Sequence, residues 1–350
     1  MMCVGACGLC YLRWCQLFLE YFFGGKHSDW GKLVRALQYF VLVAVAVATA
    51  TSGAIGESCS LQQMAALDMQ GDASEGVVVD VTINGEPHKF LVDTGGVYSE
   101  ISQDLAEKLG LRKNEISAEI YTVSGARLKY GVTVKSLMLG SLVAPNAHLL
   151  VNPEYDGLDG IIGPDILQVF DVDFDFAHKR LNLFSPDHCE GKVVYWAKSY
   201  SDAEFKLGDG YHIQFVTNLD GHSLRSILDT GSRLTWLSMK YAAQMFSLDE
   251  TSPGVERTDM NFGGKSLYRK AFQSLTLSGI AVENPVIYLR PDLDAQSFSR
   301  EHSEKEASDP IYGDTLDSPP LIFGMNVLSK LHLYVAYKEH KLYFTDANAH

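Results

Sequence analysis

Between residues 77 and 83 apolar side chains take every second position, Val77, Val79, Val81 and Ile83, the period of a strand with one buried face. The run ends in Asn84-Gly85, a pair that favours a two-residue hairpin turn. Ile213 and Phe215 begin a second strand of this kind, which ends in Asp220-Gly221. A return strand is predicted after each turn, Lys89-Phe90-Leu91-Val92 and Arg225-Ser226-Ile227-Leu228, and each delivers the same tripeptide, Asp-Thr-Gly, at 93–95 and at 229–231. The spacing between the copies stays constant as far as Ser102 and Ser238, each placed to cap a short helix such as Asp104 to Leu109, which Gly110 would stop. Further on, Ser136-Leu137-Met138-Leu139 answers Ser274-Leu275-Thr276-Leu277, and Ile161-Ile162-Gly163 answers Ile322-Phe323-Gly324. Closing strands follow at Leu181 to Phe184 and Leu342 to Phe344.

A unit that occurs twice sets the architecture before any motif is interpreted. Many short strands with turn signals and few helical patterns predict a mostly β protein of two similar lobes, at 74–186 and 208–346, joined by a linker at 187–207. The copies differ mainly at 291–320, rich in Asp, Glu and Ser and without apolar periodicity, which reads as a solvated insertion.

Residues 1–56 have a different character. Lys32 and Arg35 precede the uncharged run Ala36 to Gly56, with the apolar stretch Tyr39 to Ala48 and the small-residue sequence Ala48-Thr49-Ala50. This has the outline of an export signal, and the run is also long enough, at roughly 20 residues, to stay in a bilayer as an anchor. Both readings put the lobes outside the cytoplasm: periplasmic, extracellular, lumenal or tethered to a membrane. Cys3, Cys7, Cys10 and Cys15 lie upstream, and Cys7-x-x-Cys10 has no second pair at the spacing a zinc site needs. Removal of the signal leaves Cys59 and Cys189, on either side of the first lobe, as a candidate disulfide pair in an oxidising compartment.

The 350 residues carry a formal charge of −14, with 46% hydrophobic and 21% charged residues. That composition supplies core for two lobes, and without a Lys/Arg cluster in the folded region it argues against a nucleic-acid partner. No His-Glu-x-x-His, Gly-x-Ser-x-Gly or phosphate-loop motif is present, so neither a metal nor a cofactor is expected.

The candidate chemistry lies in the duplicated tripeptide. One Asp-Thr-Gly is an ordinary turn sequence. Two, each ending a strongly apolar strand and related by an approximate two-fold, bring Asp93 and Asp229 face to face. Like charges so close resist double ionisation, so the pair holds one proton and titrates as a unit. One carboxylate can then take a proton from water while the other gives one to a carbonyl oxygen.

Asp93-Thr94-Gly95 with Ile161-Ile162-Gly163, and Asp229-Thr230-Gly231-Ser232 with Ile322-Phe323-Gly324, resemble the paired signature of pepsin-like and retropepsin-like aspartic proteases over roughly residues 75–346. The resemblance implies two β-barrel lobes about a pseudo-two-fold in a single chain working as a monomer, and a peptide or protein substrate. It implies catalysis by Asp93 and Asp229, loops linked across the dyad by Thr94 and Thr230, and close packing at Gly163 and Gly324. By the same resemblance the Ser232 hydroxyl would support the outer carboxylate oxygen. Trp236, seven residues after Asp229, resembles the tryptophan of pepsin-like first lobes, an aromatic core residue being the plainer reading. Gly96 departs from the family's Ser, Thr or Ala, so Asp93 is expected to lack one side-chain hydrogen bond. The family closes a glycine-bearing hairpin over the substrate. Tyr121, Ser124 and Gly125 in the first lobe and Phe262, Gly263 and Gly264 in the second are the candidates for two such flaps, with Tyr130 a further substrate contact. The competing reading is an inert bilobal protein that binds an extended peptide in the same cleft.

Overall fold

The computed structural model describes residues 60–122, 126–155, 157–262, 264–291 and 319–349. The N-terminal segment 1–56, Cys59, nearly all of the 291–320 insertion and the hairpin residues Ser124, Gly125 and Gly263 lie outside the described residues. From residue 60 onward these residues fall within one compact unit.

In the first lobe Val77–Ile83 and Glu86–Val92 form the expected hairpin, in register from Val77 opposite Val92 to Ile83 opposite Glu86. Asn84 and Gly85 both take positive φ, as a twist-matched two-residue turn requires. Val77, Val79, Val81 and Ile83 are fully buried, as their alternation predicts. The sheet continues through Gly160–Ile162, Glu100–Ser102, Leu142–Asn152 and Arg127–Leu139, and closes when Arg127–Leu139 pairs back onto Val77–Ile83. Asn114–Tyr121 is added outside this closed path, as the partner of Arg127–Leu139 in a long hairpin.

The second lobe repeats the path. Ile213–Leu219 and His222–Leu228 are followed in the sheet by Leu321–Phe323, Trp236–Ser238, Val286–Arg290, Lys265–Ala271 and Val255–Phe262. The strand corresponding to Arg127–Leu139 is here divided, and its second piece, Ser274–Leu277, makes the closing pair with Ile213–Leu219. The short helices after Ser102 and Ser238 are Gln103–Lys108 and Met239–Phe246. Ser102 caps its helix by accepting a bond from the Leu105 N–H, whereas Ser238 makes no side-chain cap bond.

Two strands lie outside the spans taken from the repeat and form the edges of a sheet that joins the lobes. Gln63–Asp68 pairs with Arg180–Phe184, and Ser201–Glu204 pairs with Lys341–Asp346. Both belong to a six-stranded antiparallel sheet in which Asp171–Asp175 of the first lobe pairs with Leu331–Ala336 of the second. Asp171 and Asp173 are completely buried there and are matched to donors: His188 Nε2 lies 2.5 Å from Asp171, and His332 Nε2 lies 2.8 Å from Asp173. Next to this sheet Cys189 is disulfide-bonded; its expected partner, Cys59, lies outside the described residues.

Candidate active site

Each aspartate sits one residue beyond an apolar strand that the second strand pair of its lobe holds in place. The Asp93 N–H donates to the Ile162 carbonyl at 3.0 Å and the Asp229 N–H to the Phe323 carbonyl at 3.1 Å. Those strands, Gly160–Ile162 and Leu321–Phe323, run parallel to the aspartate strands. Each is pinned at its end by one hydroxyl: Ser99 Oγ accepts from the Gly163 N–H and donates to Asp165, while Thr235 Oγ1 accepts from the Gly324 N–H and donates to Asn326. A Cβ on Gly163 would stand 2.7 Å from the carbonyl carbon of Tyr98, and one on Gly324 would stand 2.2 Å from the Leu234 carbonyl oxygen. Both positions therefore require glycine for close backbone approach.

The two loops are bonded to each other across the lobes. The Thr94 N–H donates to Thr230 Oγ1 at 3.1 Å, and the Thr230 N–H donates to Thr94 Oγ1 at 3.0 Å. Each hydroxyl then donates across the interface, Thr94 to the Leu228 carbonyl at 2.8 Å and Thr230 to the Val92 carbonyl at 2.7 Å. Both threonines are buried, so these bonds have no water to replace them. Thr230→Val keeps the shape but removes one donor and orphans the Thr94 N–H. We expect a loss of about 3 kcal/mol in unfolding free energy by denaturant titration; a loss below about 1 kcal/mol would mean that the crossed bonds do not hold the loops together.

Within this frame Asp93 Oδ1 accepts from the N–H groups of Gly95 and Gly96 at 2.8 and 2.9 Å. Asp229 Oδ1 accepts in the same way from Gly231 and Ser232 at 2.9 and 3.0 Å. The two carboxyls also interact directly with each other. Each glycine of the tripeptides lies against the opposite aspartate, since a Cβ on Gly95 would stand 2.2 Å from Asp229 Cγ and one on Gly231 would stand 2.3 Å from Asp93 Cγ. Burial raises both carboxyls above the ordinary aspartate range. For Asp93 the loop N–H groups, Asp229 and His212 oppose that rise, whereas for Asp229 the Asp93 charge adds to it and holds the group well above the usual range.

Ser232 requires a correction. It supports Asp229 through its main-chain N–H, but its hydroxyl donates to the Leu234 carbonyl at 2.8 Å and accepts from Trp236 Nε1 at 2.7 Å, so the side-chain bond to the outer carboxylate oxygen is not made. The departure at Gly96 consequently costs Asp93 little relative to Asp229: each has two N–H donors, and a side-chain hydroxyl serves neither. Trp236 is a half-buried brace between the aspartate loop and the hairpin, its ring 6.4 Å from that of Phe262 and 5.8 Å from that of Tyr288.

Among the flap candidates, Tyr121 ends the strand Asn114–Tyr121 opposite Arg127, and Phe262 ends Val255–Phe262 opposite Lys265. Gly264 turns with φ of 75° beyond it, and the Arg290 guanidinium lies 5.2 Å over the Phe262 ring. Tyr130 is exposed on the first hairpin.

Two neighbours of the dyad were not singled out by motif. His212, buried in the second lobe, donates from Nε2 to the Gly95 carbonyl of the first at 2.9 Å. Glu100, partly buried at the start of Glu100–Ser102, accepts from Asn152 Nδ2 at 2.7 Å and from the Tyr155 hydroxyl at 2.5 Å. The signal for both is a departure from the repeat: His212 stands where the first copy has Gly76, and Glu100 stands where the second has Trp236.

Residues 79–169 match the family model described as gag-polyprotein putative aspartyl protease. No curated protein sequence matches the chain. Among solved structures, the aspartic proteinase from Irpex lacteus is similar in fold, with a TM-score of 0.51 at 16% identity over 83% of this chain and 98% of that one.

Proposed function

We propose that the chain is an aspartic protease, a reading supported by its two-lobed fold and by the family model that its first lobe matches, and that it is an active endopeptidase that hydrolyses peptide bonds with a water activated between Asp93 and Asp229. The observation that carries this reading is the directly interacting pair of carboxyls, each with Oδ1 fixed by two main-chain N–H groups. Fixing one oxygen of each presents the pair in a single orientation, so acid and base need little reorganisation at the moment of reaction. Singly protonated, the dyad takes a proton from water as the oxygen attacks the scissile carbonyl, and donates its own to the carbonyl oxygen. Collapse of the tetrahedral intermediate then returns a proton to the leaving amine. The two long hairpins, with Tyr121 and Tyr130 on one and Phe262 and Gly264 on the other, are suited to cover an extended peptide.

Both aspartates are supplied by one chain, so the enzyme works as a monomer. The lobes act outside the cytoplasm, an assignment supported by the apolar segment 36–56 and by the disulfide at Cys189. Among the described residues no helix is long and apolar enough to cross a membrane.

The test is cleavage of a diverse peptide mixture by the full chain from about pH 3 to about pH 7, with and without a statine-type transition-state analogue. Cleavage that the analogue abolishes is expected. Because both carboxyls titrate above the ordinary range, activity should persist at pH values where a normal aspartate pair is fully ionised, and fall only once the shared proton is lost. A well-folded sample that cleaves nothing, or cleavage indifferent to the analogue, overturns the reading.

A further inference from the structure

Position 100 and position 236 are equivalents in the two lobes, each seven residues beyond its catalytic aspartate. The second lobe shows what such a position faces: Trp236 bridges the aspartate loop, through Ser232, and the covering hairpin, through Phe262. In the first lobe the same place is taken by a carboxyl. Glu100 lies opposite Ile161, the neighbour of the Ile162 whose carbonyl accepts from the Asp93 N–H, so it stands close to the aspartate loop, and the Asp93 charge reaches both it and Tyr155. The carboxyl is held still: Asn152 and Tyr155 both donate to Oε2, Asn152 in turn accepts from the Glu154 N–H, and Glu154 accepts from Thr122 of the covering hairpin.

Two features mark this carboxyl as one that awaits a partner. Among the described residues no Lys, Arg or His forms an ion pair with it, and the two hydrogen bonds it accepts both go to Oε2, leaving Oε1 open to solvent or to a ligand. A partly buried carboxyl with no cation, next to two further acidic groups, Asp93 and Asp165, is costly in the empty cleft. A donor cation arriving with the ligand would remove that cost.

We propose that Glu100 is a specificity-determining residue, and that the enzyme selects extended peptides carrying Lys or Arg at one position beside the scissile bond. The pseudo-symmetric position on the other side meets Trp236, Phe262 and Tyr288 and takes an apolar residue. The inference rests on the endopeptidase reading and names its substrate class. Burial and the neighbouring acids hold the Glu100 carboxyl above the ordinary glutamate range, so the selection is strongest toward the neutral end of the active pH range.

The experiment compares matched peptides that differ only in Lys against acetyl-lysine or norleucine, cleaved by the full wild-type chain and by Glu100→Gln, which retains acceptors for Asn152 and Tyr155. The wild type should favour the Lys peptide by about 10- to 100-fold in kcat/KM at one position and no other. Glu100→Gln should bring that ratio to within about twofold while cleaving all-apolar peptides at close to the wild-type rate. A residue of merely structural importance would lower both peptides alike. The peptide pairs test charge recognition on the unaltered protein, so the result stands even if the variant misfolds. Cleavage without a basic preference, or a preference that survives in Glu100→Gln, overturns the inference and leaves the endopeptidase reading intact. If the chain cleaves nothing, that reading fails, and binding of the same peptides decides the inference: a Lys preference supports it, while equal binding or none overturns it.

Discussion

Asp229→Asn should leave a folded protein that binds peptides and does not cleave them. The replacement is nearly isosteric, and its carbonyl oxygen can still accept the N–H groups of Gly231 and Ser232 that hold Oδ1 at 2.9 and 3.0 Å. What disappears is the titratable partner of Asp93, and with it the shared proton. General acid-base catalysis is worth up to about 10⁴-fold, so kcat/KM should fall at least about 10³-fold while peptide affinity stays within a few-fold. Asp93→Asn should do the same, because neither carboxyl acts alone. An inert peptide-binding protein would show no difference between wild type and variants, and cleavage by either variant within about tenfold of wild type would exclude the dyad.

The same substitution has a second readout. A carboxyl whose folded pKa is raised contributes stability that is complete below its unfolded pKa and is lost as pH rises through the folded value. Burial and the Asp93 charge raise Asp229 in this sense. Wild type should therefore lose stability as pH climbs through the dyad's range, and Asp229→Asn, which cannot ionise, should escape that loss. Tm measured across the range should put the variant above wild type near neutral pH and bring the two together in acid; a constant offset would mean that the dyad does not titrate as a strained pair.

Gly95→Ala is expected to be nearly as damaging to activity, though it removes no catalytic group. The new Cβ would stand 2.2 Å from Asp229 Cγ and 2.4 and 2.6 Å from its oxygens. That carboxyl is tied down by two N–H donors, and the glycine is tied to Thr94, whose N–H and hydroxyl both cross into the second lobe. The overlap must therefore be relieved by separating the loops or turning the carboxyl away, and a misplacement of this size costs about 100-fold or more in kcat together with about 1–3 kcal/mol of overpacking. Gly231→Ala is the mirror case, at 2.3 Å from Asp93 Cγ. Gly96→Ala is the control, since its Cβ would approach Asp93 no closer than 3.2 Å, and its effect should be at least tenfold smaller. Equal effects at 95 and 96 would contradict the interlocked loops.

Local chemistry explains how much of this could be read from the chain. Alternation at Val77 to Ile83, the Asn84-Gly85 and Asp220-Gly221 turns and the doubled Asp-Thr-Gly are set by side-chain period and backbone freedom within a few residues, and they yielded the strands, the hairpins, the two-lobed repeat and the pairing of Asp93 with Asp229. Failures of the reading occur where a side chain chooses between neighbours. Ser232 had a carboxylate within reach in the family pattern, yet its hydroxyl went to the Leu234 carbonyl and the Trp236 indole, a competition that depends on distances of tenths of an ångström. Ser238 occupies the capping position without making the cap bond that Ser102 makes.

Strand period, turn chemistry and internal repetition are properties of short stretches, and they carry the mostly β class, the duplication and the residue types at the centre of each copy. Long-range packing sets the remainder: the six-stranded sheet that joins the lobes, the crossed threonine bonds, the glycines pressed on opposite aspartates, and the placing of His212 and Glu100 near the aspartate loops. Most of those relations join residues more than a hundred positions apart, such as the 136 between Thr94 and Thr230. No local period encodes which of them meet, since that is set by how two closed sheets pack against each other about an approximate two-fold.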